Sequence, residues 1–307
     1  MGAGLAGLSS GYFLSKAGEK VTIIERDSIV GGLSKTVRKG QFRFDLGGHR
    51  FLTKNRQVED FVKDILKRQF LIVPRKSKIY MHNKFFDYPL RPVNAVFGLG
   101  LSITLKAILD YVKERFKGVF ISPVNISLED WVVSNFGRTL FNIYFKEYSE
   151  KVWGIECDRI SQEWVEKRIR GLSLGTAIRN AFFKFTGKDI DTLADTFIYP
   201  LNGIGEISER LREEIEKKGH VLTETRIERI YHEDFVIRAV ATKNCDYSED
   251  VEGDYFVSSI PLIELVRMLT PLPPDEIIEA SSKLKYRDLV IVTIMIDRER
   301  ITDLTWL

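Results

Sequence analysis

Three glycines, Gly2-x-Gly4-x-x-Gly7, open the sequence, and an acidic residue, Glu25, stands 18 residues after the last of them. Glycines at this spacing permit a tight turn, a close approach of backbone to a pyrophosphate, and tight packing of the following helix on a strand. The helix that follows starts with free backbone N–H groups, which attract phosphate oxygens. Glu25 ends the apolar run Val21–Ile24. A carboxylate there can accept hydrogen bonds from both hydroxyls of a ribose and would repel a 2′-phosphate, so NADP is disfavoured. A plain glycine-rich helix start is the competing reading, and the helix–strand–acid context speaks against it.

Two further glycine pairs extend the pattern. Glu25-Arg26 is followed by Gly31-Gly32-Leu33-Ser34, and Phe44-Asp45-Leu46-Gly47-Gly48-His49 comes soon after. Glycines make sense beside a flat ring, which leaves little room for side chains. These segments resemble the large FAD-binding superfamily of amine oxidases and protoporphyrinogen oxidase. The resemblance implies FAD as cofactor, with Gly2, Gly4, Gly7, Glu25, Arg26, Gly31, Gly32, Leu33, Gly47, Gly48 and His49 around it. Thr225–Ile230 resembles the strand whose backbone pairs with adenine, through Ile227. Asp254–Pro261 resembles the strand that returns to the cofactor domain. The resemblance covers nearly the whole chain.

A narrower resemblance lies in the middle. Gly48-His49-Arg50-Phe51-Leu52-Thr53-Lys54-Asn55 resembles the histidine loop of UDP-galactopyranose mutase, although that family has Gly-Pro-His where this chain has Gly47-Gly48-His49. Tyr148-Ser149-Glu150-Lys151-Val152-Trp153-Gly154 is similar to the mutase motif Tyr-Thr-Glu-Lys-x-Trp-Gly. Lys167-Arg168 matches the pair that follows it, and Tyr199-Pro200-Leu201-Asn202-Gly203 resembles a glycine loop of both families. This resemblance implies that Tyr148 stacks on uracil, Trp153 faces the sugar, and Arg168 pairs with the diphosphate, where a guanidinium fork suits phosphate oxygens. Tyr199 joins the substrate site. His49 and Arg168 are the catalytic candidates, with the reduced flavin itself the nucleophile. Bland readings compete with these roles. Tyr148 and Trp153 could be core aromatics, Arg168 could belong to the charged face 163–170, and His49 could be a packed histidine.

Two function classes, and a remnant of either, are compatible with these residues. One is an FAD enzyme of the mutase type, acting on a UDP-sugar and serving surface polysaccharide synthesis. The other is an FAD oxidoreductase of the protoporphyrinogen oxidase or amine oxidase type, favoured by Gly47-Gly48 without the mutase proline. The third is an inactive fragment. No strand precedes the first glycine, and the sequence stops abruptly at Trp306-Leu307. The expectation is therefore a piece, or a mis-started and truncated reading frame, of a longer protein.

The elements that must position these residues are those of an α/β fold: a Rossmann-like FAD-binding domain interrupted by a helical insertion and a β-rich substrate region. The cofactor domain is expected to be discontinuous, over 1–75 and 195–262. A helical substrate or cap domain is expected over 93–185, and β-rich segments over 76–92 and 263–307. The pattern predicts a helix over Leu5–Lys16, a strand over Lys20–Glu25, a helix over Arg56–Gln69, and short strands around His82-Asn83. Val93–Leu109 reads as a buried helix, with a membrane-surface helix as the lesser alternative. Asp254–Ile260 and the β-branched Asp288–Asp297 read as strands.

Composition excludes several classes. A chain of 307 residues with a net charge of +3 is too mildly basic to argue for nucleic acid. Its two cysteines, Cys157 and Cys245, suit a reducing cytoplasm and no disulfide framework. His82, His220 and His232 have no metal-ligand spacing, so no metal is expected. No apolar run is long enough to span a bilayer. The expected setting is cytoplasmic, with a small-molecule substrate and room for a homodimer.

Overall fold

The structure, a computed structural model, describes residues 1–81, 83–88, 100–120, 127–163 and 196–307. It is a mixed α/β protein in two compact units, Met1–Pro74 with Asp195–Ile301, and Arg75–Ala194 with Thr302–Leu307.

The first unit begins at the glycine turn, which feeds α1 (Leu5–Lys16). Gly11 is buried in that helix, and a Cβ there would lie 2.7 Å from Ile23 Cδ1. Glycine thus lets the helix lie directly on β1 (Thr22–Ile24). β2 (Thr36–Lys39) and β3 (Phe42–Asp45) form an antiparallel hairpin. α2 (Arg56–Ile65) is capped by the Asn55 side chain, which accepts from the N–H groups of Gln57 and Val58. β4 (Phe70–Pro74) then leads out of the unit.

In the second unit, β5 (Ser77–Met81) and β6 (Lys84–Tyr88) make a hairpin. The segment 305–306 runs beside β5, where Lys78 N–H donates to Trp306 O at 3.0 Å. α3 (Leu101–Phe120) follows, then α4 (Leu128–Phe136). α4 opens with a complete capping box, Ser127 and Asp130 each bonding the other's backbone. A short turn and the π-helical stretch Phe141–Lys146 lead into α5 (Glu147–Trp153), which Gly154 ends in the left-handed region. The core here is Leu128, Trp131, Val132, Phe136, Phe141 and Cys157.

The chain re-enters the first unit at β7 (Thr196–Pro200), antiparallel to β4. α6 (Glu206–Ile215) packs on α1, and β8 (His220–Leu222) pairs with β1 in parallel. β9 (Arg226–Glu233), β10 (Val236–Lys243) and β11 (Ser248–Glu252) form an antiparallel meander. α7 (Leu262–Met268), the two-residue β12 (Leu269–Thr270) and α8 (Asp275–Ser282) close the regular structure. Leu8, Ile23, Val30, Leu211 and Ile215 share one core under the glycine turn. Packing of this kind, at about 25 cal/mol for each Å² of apolar surface removed from water, is what holds the short β1–β8 pair in place.

Four expectations need correction. Residues 263–307 are not β-rich, being two helices, β12 and irregular chain. Asp288–Asp297 forms no strand, and Val290, Val292 and Ile294 lie exposed. Its β-branched residues suit a pleated surface, but no strand among the described residues pairs with them. Asp254–Ile260 is not a strand either. Its neighbour is Met1–Gly2, where the backbone curls at once into the glycine turn and no ladder builds. Finally, of the stretch Val93–Leu109 only residues 100–109 are described, and these are not a buried helix, since Leu101, Leu105 and Leu109 are exposed on α3. Among the described residues no helix is long and apolar enough to cross a membrane.

Candidate functional site

The glycine turn is held from three sides. Gly2 N–H donates to Ile24 O at 2.8 Å, Ala3 N–H to Glu25 Oε2 at 2.7 Å, and Gly31 N–H to Ala3 O at 2.7 Å. Ser259 N–H donates to Met1 O at 2.9 Å. Gly7 sits where a Cβ would be 2.0 Å from Gly2 O, so the helix presses against the turn itself. Gly4 is different, since a Cβ there would meet nothing within 4 Å. That opening lies at the N-terminus of α1, which no side chain caps. Uncapped N–H groups beside an open glycine fit a diphosphate. The fit to a dinucleotide is therefore good at Gly2, Gly4 and Gly7.

Glu25 follows directly on β1 and accepts from Ala3 N–H and Asp27 N–H. A carboxylate has about four lone-pair sites, so capacity for a ribose remains. Gly31 and Gly32 both have positive φ, 110° and 56°, and a Cβ on Gly32 would lie 3.3 Å from Gly4 Cα. The second glycine pair is thus brought directly against the first loop. Leu33 follows with its side chain 83% exposed. Arg26 turns to Glu264, at 3.3 Å. Ile227 is a buried core residue of β9 whose register partner is Thr242 on β10.

Gly47, Gly48 and His49 are placed by a network that the motifs did not assign. Asp45, at the end of β3, accepts from Thr36 Oγ1 at 2.5 Å, from Tyr199 Oη at 2.6 Å and from Ile204 N–H at 3.1 Å. Thr36 Oγ1 in turn accepts from Gly205 N–H at 2.8 Å. A Cβ on Gly203 would lie 2.4 Å from Thr36 Oγ1, and one on Gly205 2.5 Å from Thr36 N. Only glycines let the turn before α6 press onto β2. One carboxylate thus ties β2, β3, β7 and the start of α6 together, two residues before Gly47. Burial pushes the Tyr199 phenol well above its usual range, and the Asp45 bond adds to that. Tyr199 is engaged with Asp45 in this structure, which competes with its expected role at the substrate. An acid just before a glycine pair was the available signal for Asp45. Two of its three partners, Tyr199 and Ile204, could not be read, because they lie more than 150 positions away. His49 has its Nδ1 buried without a hydrogen-bond partner. A buried polar atom left unsatisfied in this way marks a place where a ligand group could bond.

A cavity of about 490 Å³ also borders Thr36 and Gly205, with Arg38, Glu209 and Arg210 among its walls. None of the first glycine loop lines it, so it is not the dinucleotide opening.

In the second unit, Tyr148 and Trp153 both lie on α5. Tyr148 is 71% exposed. Trp153 is partly buried against the cluster around Phe136 and Phe141. Arg168, with Lys167, lies outside the described residues.

The sequence matches the family described as flavin containing amine oxidoreductase over residues 5–305. It is 44% identical over 106 residues to the L-amino-acid oxidase of Crotalus adamanteus, covering 30% of this chain and 20% of that protein. It is 26% identical over 206 residues to protoporphyrinogen oxidase 2 of Arabidopsis thaliana, covering 62% of this chain and 40% of that one. The fold is similar to the crystal structure of reduced UDP-galactopyranose mutase, with a TM-score of 0.74 and 23% identity over 93% of this chain and 60% of that one. The chain spans only part of the length of each of these proteins. With the family matched along almost its whole length and the glycine turn shaped for a dinucleotide, the chain belongs to the flavin containing amine oxidoreductases, and its cofactor is FAD.

Proposed function

We propose that this chain is the cofactor-holding and substrate-binding part of a flavoenzyme that acts on a UDP-sugar in the manner of UDP-galactopyranose mutase. The observation that carries the reading is Tyr148. It stands 71% exposed on α5, while Ser149 beside it is buried and Trp153 packs on the core. The core therefore does not account for this tyrosine, and an exposed ring is suited to stacking on a base. Trp153, five residues and about one and a half turns further on, would border the sugar. Arg168 would neutralise the diphosphate with its guanidinium fork.

In this reading the Rossmann-like cofactor domain is discontinuous, with its two parts on either side of the helical insertion. Gly4 and the N-terminus of α1 hold the diphosphate, Glu25 orients the ribose, and Gly31–Leu33 line the cofactor's path. Asp45 and Thr36 fix the Gly47–Gly48 turn, and His49 offers its unpartnered Nδ1 to the flavin edge. Bound FAD supplies a redox-active ring that is nucleophilic when reduced. The free thiols of Cys157 and Cys245 suit a cytoplasmic setting.

A second reading is an oxidase of the amine or protoporphyrinogen type. The family match and the L-amino-acid oxidase relative favour it. One experiment separates the two: the visible spectrum of the flavin-loaded protein after dithionite reduction, with and without UDP-galactose. The mutase reading expects a spectral response and furanose product. A reduced-flavin spectrum indifferent to UDP-sugars, with the oxidised flavin bleached by an amine or porphyrinogen before any dithionite is added, would transfer the assignment to the oxidase.

A further inference from the structure

Among the described residues, α3 is packed on one side. Ala107 is buried there, and Asp110 reaches across to accept from Thr139 N–H at 3.1 Å. Gly137 lies so close that a Cβ there would be 3.0 Å from Tyr111 N. At 3.6 residues per turn, Ala107, Asp110 and Tyr111 share one face, which meets α4 and the turn after it.

The opposite face carries Leu101, Leu105, Ile108, Leu109, Val112 and Phe116, all exposed. Their spacing confines them to an arc of roughly 100°. Leu101, Leu109 and Phe116 are each about two thirds exposed or more, at 73%, 69% and 65%. Monomeric proteins seldom leave so long a run of large apolar side chains in water. Charge is distributed around this stripe with one sign. Lys106, Lys113 and Lys117 border one edge and Arg115 the other, all exposed. The helix's acids, Asp110 and Glu114, lie on the packed side. The stripe extends over about 22 Å, yet the helix is not apolar enough to cross a bilayer.

We infer that α3 docks this protein onto an anionic lipid surface. The apolar stripe enters the boundary between headgroups and acyl chains, and the flanking ammonium and guanidinium groups pair with anionic headgroups. An apolar face edged by cations, with its acids turned away, is complementary to such a surface in both hydrophobicity and charge. A protein partner would need a matching groove and a rim of acids. A second copy of this chain would bring the same cations together and repel.

The test is flotation of the flavin-loaded chain with two kinds of vesicle, phosphatidylcholine alone and phosphatidylcholine mixed equally with phosphatidylglycerol. The chain should float with the mixed vesicles and stay behind with the neutral ones, and added salt should release it. Leu105→Glu with Leu109→Glu should reduce binding by about tenfold or more per leucine, with circular dichroism and flavin content unchanged. Lys106→Glu with Lys113→Glu should remove the preference for anionic vesicles. The inference is overturned if the unmodified chain ignores both vesicles, if it binds both equally, or if the double-leucine variant still floats. It is also overturned if the unmodified chain ignores vesicles and sediments as a dimer that the double-leucine variant abolishes, since the stripe would then belong to self-association.

Discussion

The glycine turn of the first unit and α5 of the second hold candidate sites made in opposite ways. Around Gly4 the working surface is backbone, with the uncapped N–H groups of α1, an opening where a side chain is absent, and neighbours pressed too closely for any Cβ. On α5 the working surface is side chain, an exposed Tyr148 beside a half-buried Trp153. A backbone site requires particular residue types at particular positions and leaves a legible motif. A side-chain site requires only that an aromatic ring face outward, and the same letters serve a core equally well. The first kind of site is therefore robust to reading and intolerant of mutation, and the second is the reverse.

The sharpest way to break this contrast is at the two glycines flanking the turn. Gly7→Ala places a methyl 2.0 Å from Gly2 O and should destabilise the folded apoprotein by about 3 kcal/mol. At Gly4 a Cβ would meet no protein atom within 4 Å, and the backbone is in the extended region that valine accepts, so Gly4→Val is the counterpart. It should leave thermal unfolding of the apoprotein unchanged and abolish flavin retention. Equal loss of stability in both variants would remove the case for Gly4 as the diphosphate's place.

Next in size is Asp45→Ala, which strands the Thr36 and Tyr199 hydroxyls and the Ile204 N–H. Loss of hydrogen bonds to a charged group should lower stability by about 2 kcal/mol, read as a shift in urea midpoint. Flavin affinity should fall with it, and Asp45→Glu should restore part of both. Recovery of stability without flavin affinity would show that Asp45 supports the fold and not the Gly47–Gly48 turn.

At α5 the expectation is reversed. Tyr148→Ala should change stability by less than about 0.5 kcal/mol, as for other exposed positions. UDP affinity, measured by titration calorimetry, should weaken about tenfold. Unchanged affinity would return Tyr148 to the ordinary surface.

The smallest effect is in the pH profile. Burial and the Asp45 bond raise the Tyr199 phenol in the folded state. Its contribution is fully present below the ordinary tyrosine value of about 10 and is lost as pH rises through the raised value. Urea midpoints should therefore fall above about pH 10 more steeply in the unmodified chain than in Tyr199→Phe. Parallel profiles would mean that the phenol carries no such linkage.

Much of this architecture was legible beforehand, for identifiable reasons. Leu5–Lys16 is bounded by Gly4 and Gly18, and the β5–β6 hairpin is a contact between near neighbours. Each rests on physics that acts within a few residues. The apolar runs 254–260 and 288–297 and the start of α3 misled for the same reason. An apolar or β-branched run states a preference for burial, but whether a partner surface exists is decided by distant chain.

Local chemistry was thus enough to point to a dinucleotide turn and to the alternation of helices and strands, because glycine geometry and helix caps act at short range, whereas FAD was implied by the family resemblance. It could not establish that Asp45 joins four elements, that Tyr148 faces outward while Trp153 turns in, or that α3 leaves its apolar stripe in water. Those outcomes depend on which surfaces the folded chain brings together, through contacts such as Asp45 with Tyr199, 154 residues apart. Hydrophobic burial and side-chain hydrogen bonding carry no record of sequence distance, so a list of residues cannot display them.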